Sequence, residues 1–562
     1  MIRAKLISSL DKCFLDSKPE DFAEFGSSYV YLNQTLSLQI AVTSDPEDGF
    51  IRWVKPGVRG INPICVSFRQ VENVPSLLPA YPGKTDDGYI RTEPGLYPDP
   101  LTAPTMNGHY PVAAGRLHAI WVDIDMNKFD RYGINETTAI DCEFCLNGAG
   151  VDIALPFTMK IIPALLPDHG MKVTQWFHSD CLASYYNVPV FSERHWEIIE
   201  NYMKTFVKCG NNMILTPIFT PPLDTHIGGE RPTVQLVKIK YTGNHRFAFD
   251  FSLLDRWMDT AKRVGIRYFE ISHFFTQWGA SHAPKIVVES SRRGEMKMFG
   301  WDTDATGKEY TKFLRVFIPA LLGHLRERGD DGLCVFHISD EPNGTQLEQY
   351  LKSKEVVADL LEGYRIVDAL SNIDFYKSGA VRHPIPSTNH IEPFIEAFKE
   401  DGRDDLWTYY CCSQNVGVSN RLLAMYGART RCIGLQFWKY HIVGFLQWGF
   451  NFYYNCGSYS LINPYLNTNG DYWVPSGDAY SVYPGPDGTA LESVRINQFR
   501  EGLGDCSALI LLESLIGRDA ALKAVEELTG EIRFDKCIND TSLMLAVREK
   551  IDSLVSENFR KQ

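Results

Sequence analysis

The sequence lacks any apolar run approaching the ~20 residues that cross a bilayer as a helix, which argues against membrane insertion. It lacks a basic surplus. Its 56 Lys and Arg face 69 Asp and Glu, for a formal net charge of -13. Nucleic-acid binding through phosphate contacts needs a basic face, so that class is disfavoured. It also lacks a paired cysteine framework. The 13 cysteines are odd in number and scattered, and Cys142-Glu-Phe-Cys145 is a lone CxxC with no second pair to complete a zinc site. From Met1 to Lys18 there is no signal-peptide pattern, because Ser8, Ser9, Asp11 and Lys12 interrupt the apolar stretch. These absences predict a reduced, cytoplasmic protein, although an exported chain with its leader removed would read the same. No internal repeat or low-complexity run is present, and no glycine-rich phosphate turn follows a first strand.

What is there fits a large globular enzyme. The chain has 562 residues, 44% of them apolar, which predicts two or three domains with sizeable cores. Aromatics make up 12%. Sugar rings stack on aromatic faces, but large cores use the same residues. Up to about residue 165 the runs are short and alternating, as in Leu36–Val42 and Leu117–Asp123, with Pro and Gly clusters between them. That pattern predicts an N-terminal β-sandwich. Ile161–Gly170, with Pro163 and Pro167, reads as a linker.

The rhythm then changes to alternating strands and helices. Strands are expected at Thr174–His178, Asn212–Thr216, Arg267–His273 and Leu333–Asp340. Weaker candidates are Tyr364–Asp368, the stretch near Val381, Leu406–Tyr410 and Phe445–Phe450. Helices are expected from Ser192 to near Gly210, over Leu253–Val264, and over Glu309–Arg328 with a kink at Pro319. An insertion with strand character spans Val237–Phe251. Eight such units predict a (β/α)8 TIM-like barrel over residues 166–517; a doubly wound open sheet is the alternative. A C-terminal helical extension, 518–562, would carry helices at Asp519–Thr529 and Ser542–Phe559.

A parallel barrel places its chemistry at the C-terminal ends of the strands. The fourth strand ends His337-Ile-Ser-Asp340-Glu341-Pro342, and Pro342 would fix a turn that lets both acids face the cleft. A solvated acidic strand end is the other reading. Retaining glycosidases commonly set two carboxyl groups ~5–5.5 Å apart across the scissile bond. By analogy with other barrels the second would stand at the end of strand seven, but Trp407–Gln414 contains no acid. Substrate assistance remains. A 2-acetamido sugar brings its own nucleophile, and such intramolecular attack reaches effective molarities of about 10⁵–10⁸ M. Asp340 would orient the acetamido N–H, and Glu341 would serve as general acid and base. Two close carboxylates repel, which raises the pKa of one into the range a general acid needs.

At these residues the sequence resembles glycoside hydrolase family 123 and the broader group called domain of unknown function 4091. The resemblance rests on Ser8–Phe14, the His337–Pro342 block, Gly444–Asn451, Gly477-Asp478, Tyr483–Gly488 and Ser493–Gly502. It implies a β-sandwich, a (β/α)8 barrel, and retaining exo-β-N-acetylgalactosaminidase activity through an oxazoline. The adjacent acids of the family fall on Asp340 and Glu341. No metal or organic cofactor is implied, and the implied partner is a glycan or glycoconjugate with a terminal acetamido sugar.

Further candidate substrate contacts are His273, Tyr409 and Trp448, near the ends of expected strands three, seven and eight, and Trp278 and Asn451 just beyond their strands. Packing around the barrel is the other reading of each. His178 reads as a satisfied structural residue. Two other functions compete: a two-carboxylate glycosidase acting on sugars without an acetamido group, and a non-catalytic carbohydrate-binding protein on the same fold.

Overall fold

The computed structural model describes residues 1–104 and 107–559. The N-terminal part is β-rich. One five-stranded sheet runs in the order Ile2–Ser8, Thr35–Ser44, Leu117–Asp125, Val66–Ser76, Gly95–Thr102. A second runs Ser27–Tyr31, Val151–Ile162, Thr138–Gly148, Ile51–Arg59, Tyr110–Ala113. Alternate side chains from the two sheets meet in one apolar cluster, with Leu38, Ile40 and Val122 from the first and Phe144, Phe157 and Met159 from the second. Cys142 and Cys145 lie three positions apart on one strand, so their side chains leave on opposite faces, an arrangement unsuited to a shared metal.

The expected linker is held by hydrogen bonds rather than free. Asn33 Nδ2 donates to Leu166 O and Leu166 N donates to Asn33 Oδ1, both at 2.9 Å, and Ala164 is buried in the main core.

Beyond it lie eight short parallel strands: β1 Lys172–Gln175, β2 Met213–Thr216, β3 Tyr268–Ile271, β4 Cys334–Phe336, β5 Val367–Ala369, β6 His383–Ile385, β7 Trp407–Tyr409 and β8 Gly444–Gln447. Parallel ladders join β2 to β3, β3 to β4, β5 to β6, β7 to β8 and β8 to β1. Single parallel bridges, Phe336–Ile366 and Ser387–Tyr409, link the regions of β4 and β5 and of β6 and β7. Asn212 N donates to Val173 O at 3.0 Å where β2 begins beside β1. Such strands are apolar throughout because both faces are covered. Met213, Leu215, Val335, Val367, Ile385, Trp407 and Leu446 pack in one cluster, while Ile214, Phe269, Phe336 and Phe445 belong to the larger core shared with the helices.

The helices follow the sequence pattern closely. Glu193–Lys208 is capped by Ser192, whose Oγ accepts from His195 N. Ser252–Val264 ends on Gly265, and Lys308–Arg328 continues across Pro319. The insertion forms a hairpin, Lys238–Gly243 and Arg246–Asp250, joined by Ile286–Ser290 and Gly294–Phe299 into a four-stranded sheet. Arg518–Thr529 and Thr541–Asn558 are the expected last helices; residues 560–562 of that extension lie outside the described residues. A long helix, Val494–Ile516, was not anticipated. It is buried on most sides, so it shows no apolar stripe for a periodicity argument to find.

Candidate active site

The segment after β4 is fixed atom by atom. Ile338 N and Ser339 N donate to Asp368 Oδ1 at 3.0 and 3.3 Å, and Ser339 Oγ donates to Thr276 O at 2.8 Å. Trp278 N donates to Asp340 O at 2.9 Å, and Glu341 N donates to Ala369 O at 3.1 Å. The chain is therefore pinned between the loop after β3 and the end of β5. Glu341 has φ 43°, a left-handed backbone. Pro342 disfavours the α region for the residue before it, and positive φ is uncommon for a side chain of this size. The turn is thus made at Glu341 itself, and it brings both carboxylates to one cavity.

That cavity measures about 160 Å³ and is lined by Trp176, Asp224, Trp278, Asp340, Glu341, Ala369, Tyr409, Cys411, Cys412, Leu446, Trp448, Trp473 and Val474. Trp448 and Trp473 lie 5.3 Å apart between ring centroids and form an aromatic wall. Trp448 Nε1 donates to buried Asp478 Oδ2 at 2.8 Å. Burial pushes the Asp478 carboxyl up to about 6 against that bond.

The two adjacent acids are half-buried. Burial raises the Asp340 pKa well above the usual carboxylate range; the charges of Glu341 and Asp224 raise it further, and His337 opposes them. Burial also raises Glu341, opposed by the Tyr409 hydroxyl, which donates to Glu341 Oε1 at 2.8 Å. Beneath them His337 is fully buried. Its Nε2 lies 2.7 Å from Glu270 Oε1 and its Nδ1 lies 3.4 Å from Asp368 Oδ1. Although burial opposes charging, these two carboxylates raise the His337 pKa to about 9, so the ring is an imidazolium at neutral pH. Thr174 Oγ1 and Trp176 Nε1 each donate to Glu270 at 2.8 Å, which completes a polar floor under the acids.

The catalytic-domain model of glycoside hydrolase family 123 matches residues 176–512. The chain belongs to that family. Its fold superposes on a family 123 glycoside hydrolase from Clostridium perfringens, a structure concerned with glycolipid glycan hydrolysis. The match covers 99% of this chain and 98% of that one, with a TM-score of 0.75 at 13% identity. A termite-gut GH10 xylanase with a bacterial Ig-like domain covers 86% of this chain and 99% of its own, but at a TM-score of 0.32 and 11% identity it carries no argument. No curated protein matches the sequence. Among the described residues, no helix is long and apolar enough to cross a membrane.

Of the residues singled out from sequence, this family 123 member brings Asp340, Glu341, Trp278, Tyr409 and Trp448 to the cavity. It does not bring His273 or Asn451 there. His273 is buried below, with its ring 4.4 Å from His337 and edge-on to Trp176 at 5.5 Å; burial and the His337 charge hold its pKa well below the usual value. Asn451 is spent on backbone: its Oδ1 accepts from His178 N at 2.9 Å and its Nδ2 donates to His178 O at 3.0 Å. His178 is satisfied by Trp448 O at 2.9 Å and Arg231 Nη2 at 3.2 Å. Sequence reading missed Trp176, Trp473 and Asp224. Trp176 directly follows β1, a position open to inspection once the parallel strands were placed. Trp473 and Asp224 sit in long irregular loops where no periodicity points.

Proposed function

We propose that this family 123 enzyme is a retaining exo-glycoside hydrolase that removes β-linked N-acetylgalactosamine, or a related 2-acetamido sugar, from a glycan or glycoconjugate. In this reading β1–β8 form a closed (β/α)8 barrel, residues 166–517, between an N-terminal sandwich, 1–165, and a C-terminal extension, 518–562. The observation that carries the reading is the adjacent pair Asp340 and Glu341 on one small, aromatic-walled cavity, where burial raises the Glu341 pKa in the direction a general acid needs. The cavity is smaller than the range of about 300–1,000 Å³ usual for drug-sized ligands, which suits one sugar ring at a time.

The chemistry runs in two steps. Glu341 gives its proton to the leaving oxygen while the acetamido oxygen bonds to the anomeric carbon. Asp340 accepts from the acetamido N–H and offsets the positive charge of the oxazolinium formed. Glu341, now a carboxylate, takes a proton from water as that water bonds to the anomeric carbon and reopens the ring, so configuration is retained.

The test is release of 4-nitrophenol from the β-N-acetylgalactosaminide, β-N-acetylglucosaminide and β-galactoside. Turnover of an acetamide and not of the plain galactoside supports the reading, and turnover of the plain galactoside removes it. Asp340→Asn should slow the first step by at least about a hundredfold, within the usual contribution of a positioned electrostatic group. Glu341→Ala should lose rate mainly on poor leaving groups and recover partly with azide.

A further inference from the structure

We propose that Asp224 is a substrate-binding, specificity-determining residue of this site, whose carboxylate accepts hydrogen bonds from hydroxyl groups of the sugar held in the cavity. The inference rests on the hydrolase reading above and adds a contact that the adjacent acids do not supply.

Three observations converge on Asp224. The first is its placement. It lies on the irregular stretch that follows β2, and it lines the same cavity as Asp340 and Glu341. The second is how firmly its backbone is held. Asp224 N donates to Gln277 Oε1 at 2.7 Å, and Ser458 Oγ donates to Asp224 O at 2.7 Å. Arg231 Nη1 donates to the preceding carbonyl, Leu223 O, at 3.0 Å. These partners come from the loop after β3, the long loop after β8 and the Asp224 loop itself. They hold Asp224 at φ 49°. Aspartate tolerates this left-handed region better than most residues, yet such a conformation persists at a site only when its surroundings impose it.

The third observation is the unmet chemistry of the side chain. Asp224 is half-buried, and its carboxylate has no hydrogen-bond donor among the described residues. A carboxylate withdrawn from water without a donor is unfavourable. The nearby cation, Arg231, is already committed. Its Nε and Nη2 bond to Asp180 at 2.6 and 2.7 Å, and its guanidinium stands 5.2 and 5.3 Å from the rings of Phe452 and Tyr454. Burial pushes the Asp224 pKa up to about 7, Arg231 opposes this, and Glu341 and Asp478 add to it. Among the described residues no three His, Cys, Asp or Glu side chains are grouped to share a metal ion. A carboxylate is a pure acceptor with room for more than one donor. A sugar ring held in the cavity that Trp448 and Asp224 both line offers hydroxyl donors of that kind.

The experiment compares wild type, Asp224→Ala and Asp224→Asn on the 4-nitrophenyl acetamido glycosides, on their 4-deoxy and 6-deoxy analogues and on the plain β-galactoside. The expected result for Asp224→Ala is a KM raised at least tenfold with kcat changed less than about threefold. Removing the hydroxyl that Asp224 reads should then cost the variant far less than it costs wild type. Asp224→Asn, which keeps one acceptor oxygen, should fall between them. A folded Asp224→Ala with unchanged KM overturns the inference. If that variant does not fold, undiminished wild-type turnover of every deoxy analogue overturns it instead. Loss of kcat on a plain galactoside that wild type cleaves would make Asp224 a nucleophile and overturn both this inference and the acetamido mechanism. If wild type cleaves none of the glycosides, calorimetry with the free sugars separates the two. Binding that weakens at least tenfold in Asp224→Ala keeps the inference without the hydrolase reading, and no binding by wild type overturns both.

Discussion

Two side chains around the acidic pair have testable consequences. The Tyr409 hydroxyl stabilises the ionised form of Glu341 through its 2.8 Å bond. Tyr409→Phe should therefore let the Glu341 pKa rise further, and the alkaline limb of the pH–rate profile should move to higher pH; an unmoved limb would detach Tyr409 from the acid. His337 makes a different prediction. Its folded pKa is raised from 6.5 to about 9 by Asp368 and Glu270. Its contribution to stability is therefore complete below about pH 6.5 and is lost as pH rises through about 9. One proton corresponds to about 1.4 kcal/mol per pH unit across that window. Thermal melts of wild type should fall more steeply between pH 7 and 9 than those of His337→Gln, and equal slopes would contradict the imidazolium. At this scale sequence could single out Asp340 and Glu341, which the cavity brings together, because two adjacent acids close a largely apolar stretch. Asn451 misled: sequence places a residue near a strand end but does not show that its amide is already used by His178 backbone.

At the scale of elements, sequence located the eight parallel-strand positions and five of the twelve α-helices among the described residues, but not all their extents. Leu333–Asp340 read as one strand, yet the β4 ladder ends at Phe336. After that point the backbone donors of Ile338 and Ser339 go to the Asp368 carboxylate instead of a neighbouring strand, a choice invisible to local propensity. Val494–Ile516 escaped because tertiary burial on most sides replaces the amphipathic stripe. It is capped by Ser493, whose Oγ accepts from Ile496 N at 3.1 Å and donates to Ser481 O at 2.6 Å. Ser493→Ala should cost about 0.5–2 kcal/mol, the usual range for losing such a cap, read as a lower urea midpoint at unchanged slope.

At the scale of the whole molecule, the first and last thirds are joined by buried charge. Arg495 Nε and Nη2 bond to Asp99 Oδ1 and Oδ2, both at 2.9 Å, with neither side chain exposed. Tyr483 OH adds a bond to Asp99 Oδ2 at 2.6 Å. Breaking one side of such a pair leaves an uncompensated charge and typically costs about 3–5 kcal/mol. Arg495→Met should show a loss of that order in denaturant unfolding, and pairing it with Asp99→Asn should recover part of it; additive losses would mean the pair is not coupled. None of this was readable from sequence, because the partners lie hundreds of positions apart.

The β-rich part also reaches the cavity. Tyr81 OH donates to Trp473 O at 3.0 Å, Ser476 N donates to Leu78 O at 2.9 Å, and Ser76 Oγ donates to Ser476 Oγ at 2.7 Å. One aromatic wall of the cavity is therefore braced from residues that precede the family's matched catalytic stretch. Such a fold is poorly suited to modular exchange. Its N-terminal sheets are part of the cavity's frame, and replacing them with another module would remove the contacts that brace that wall.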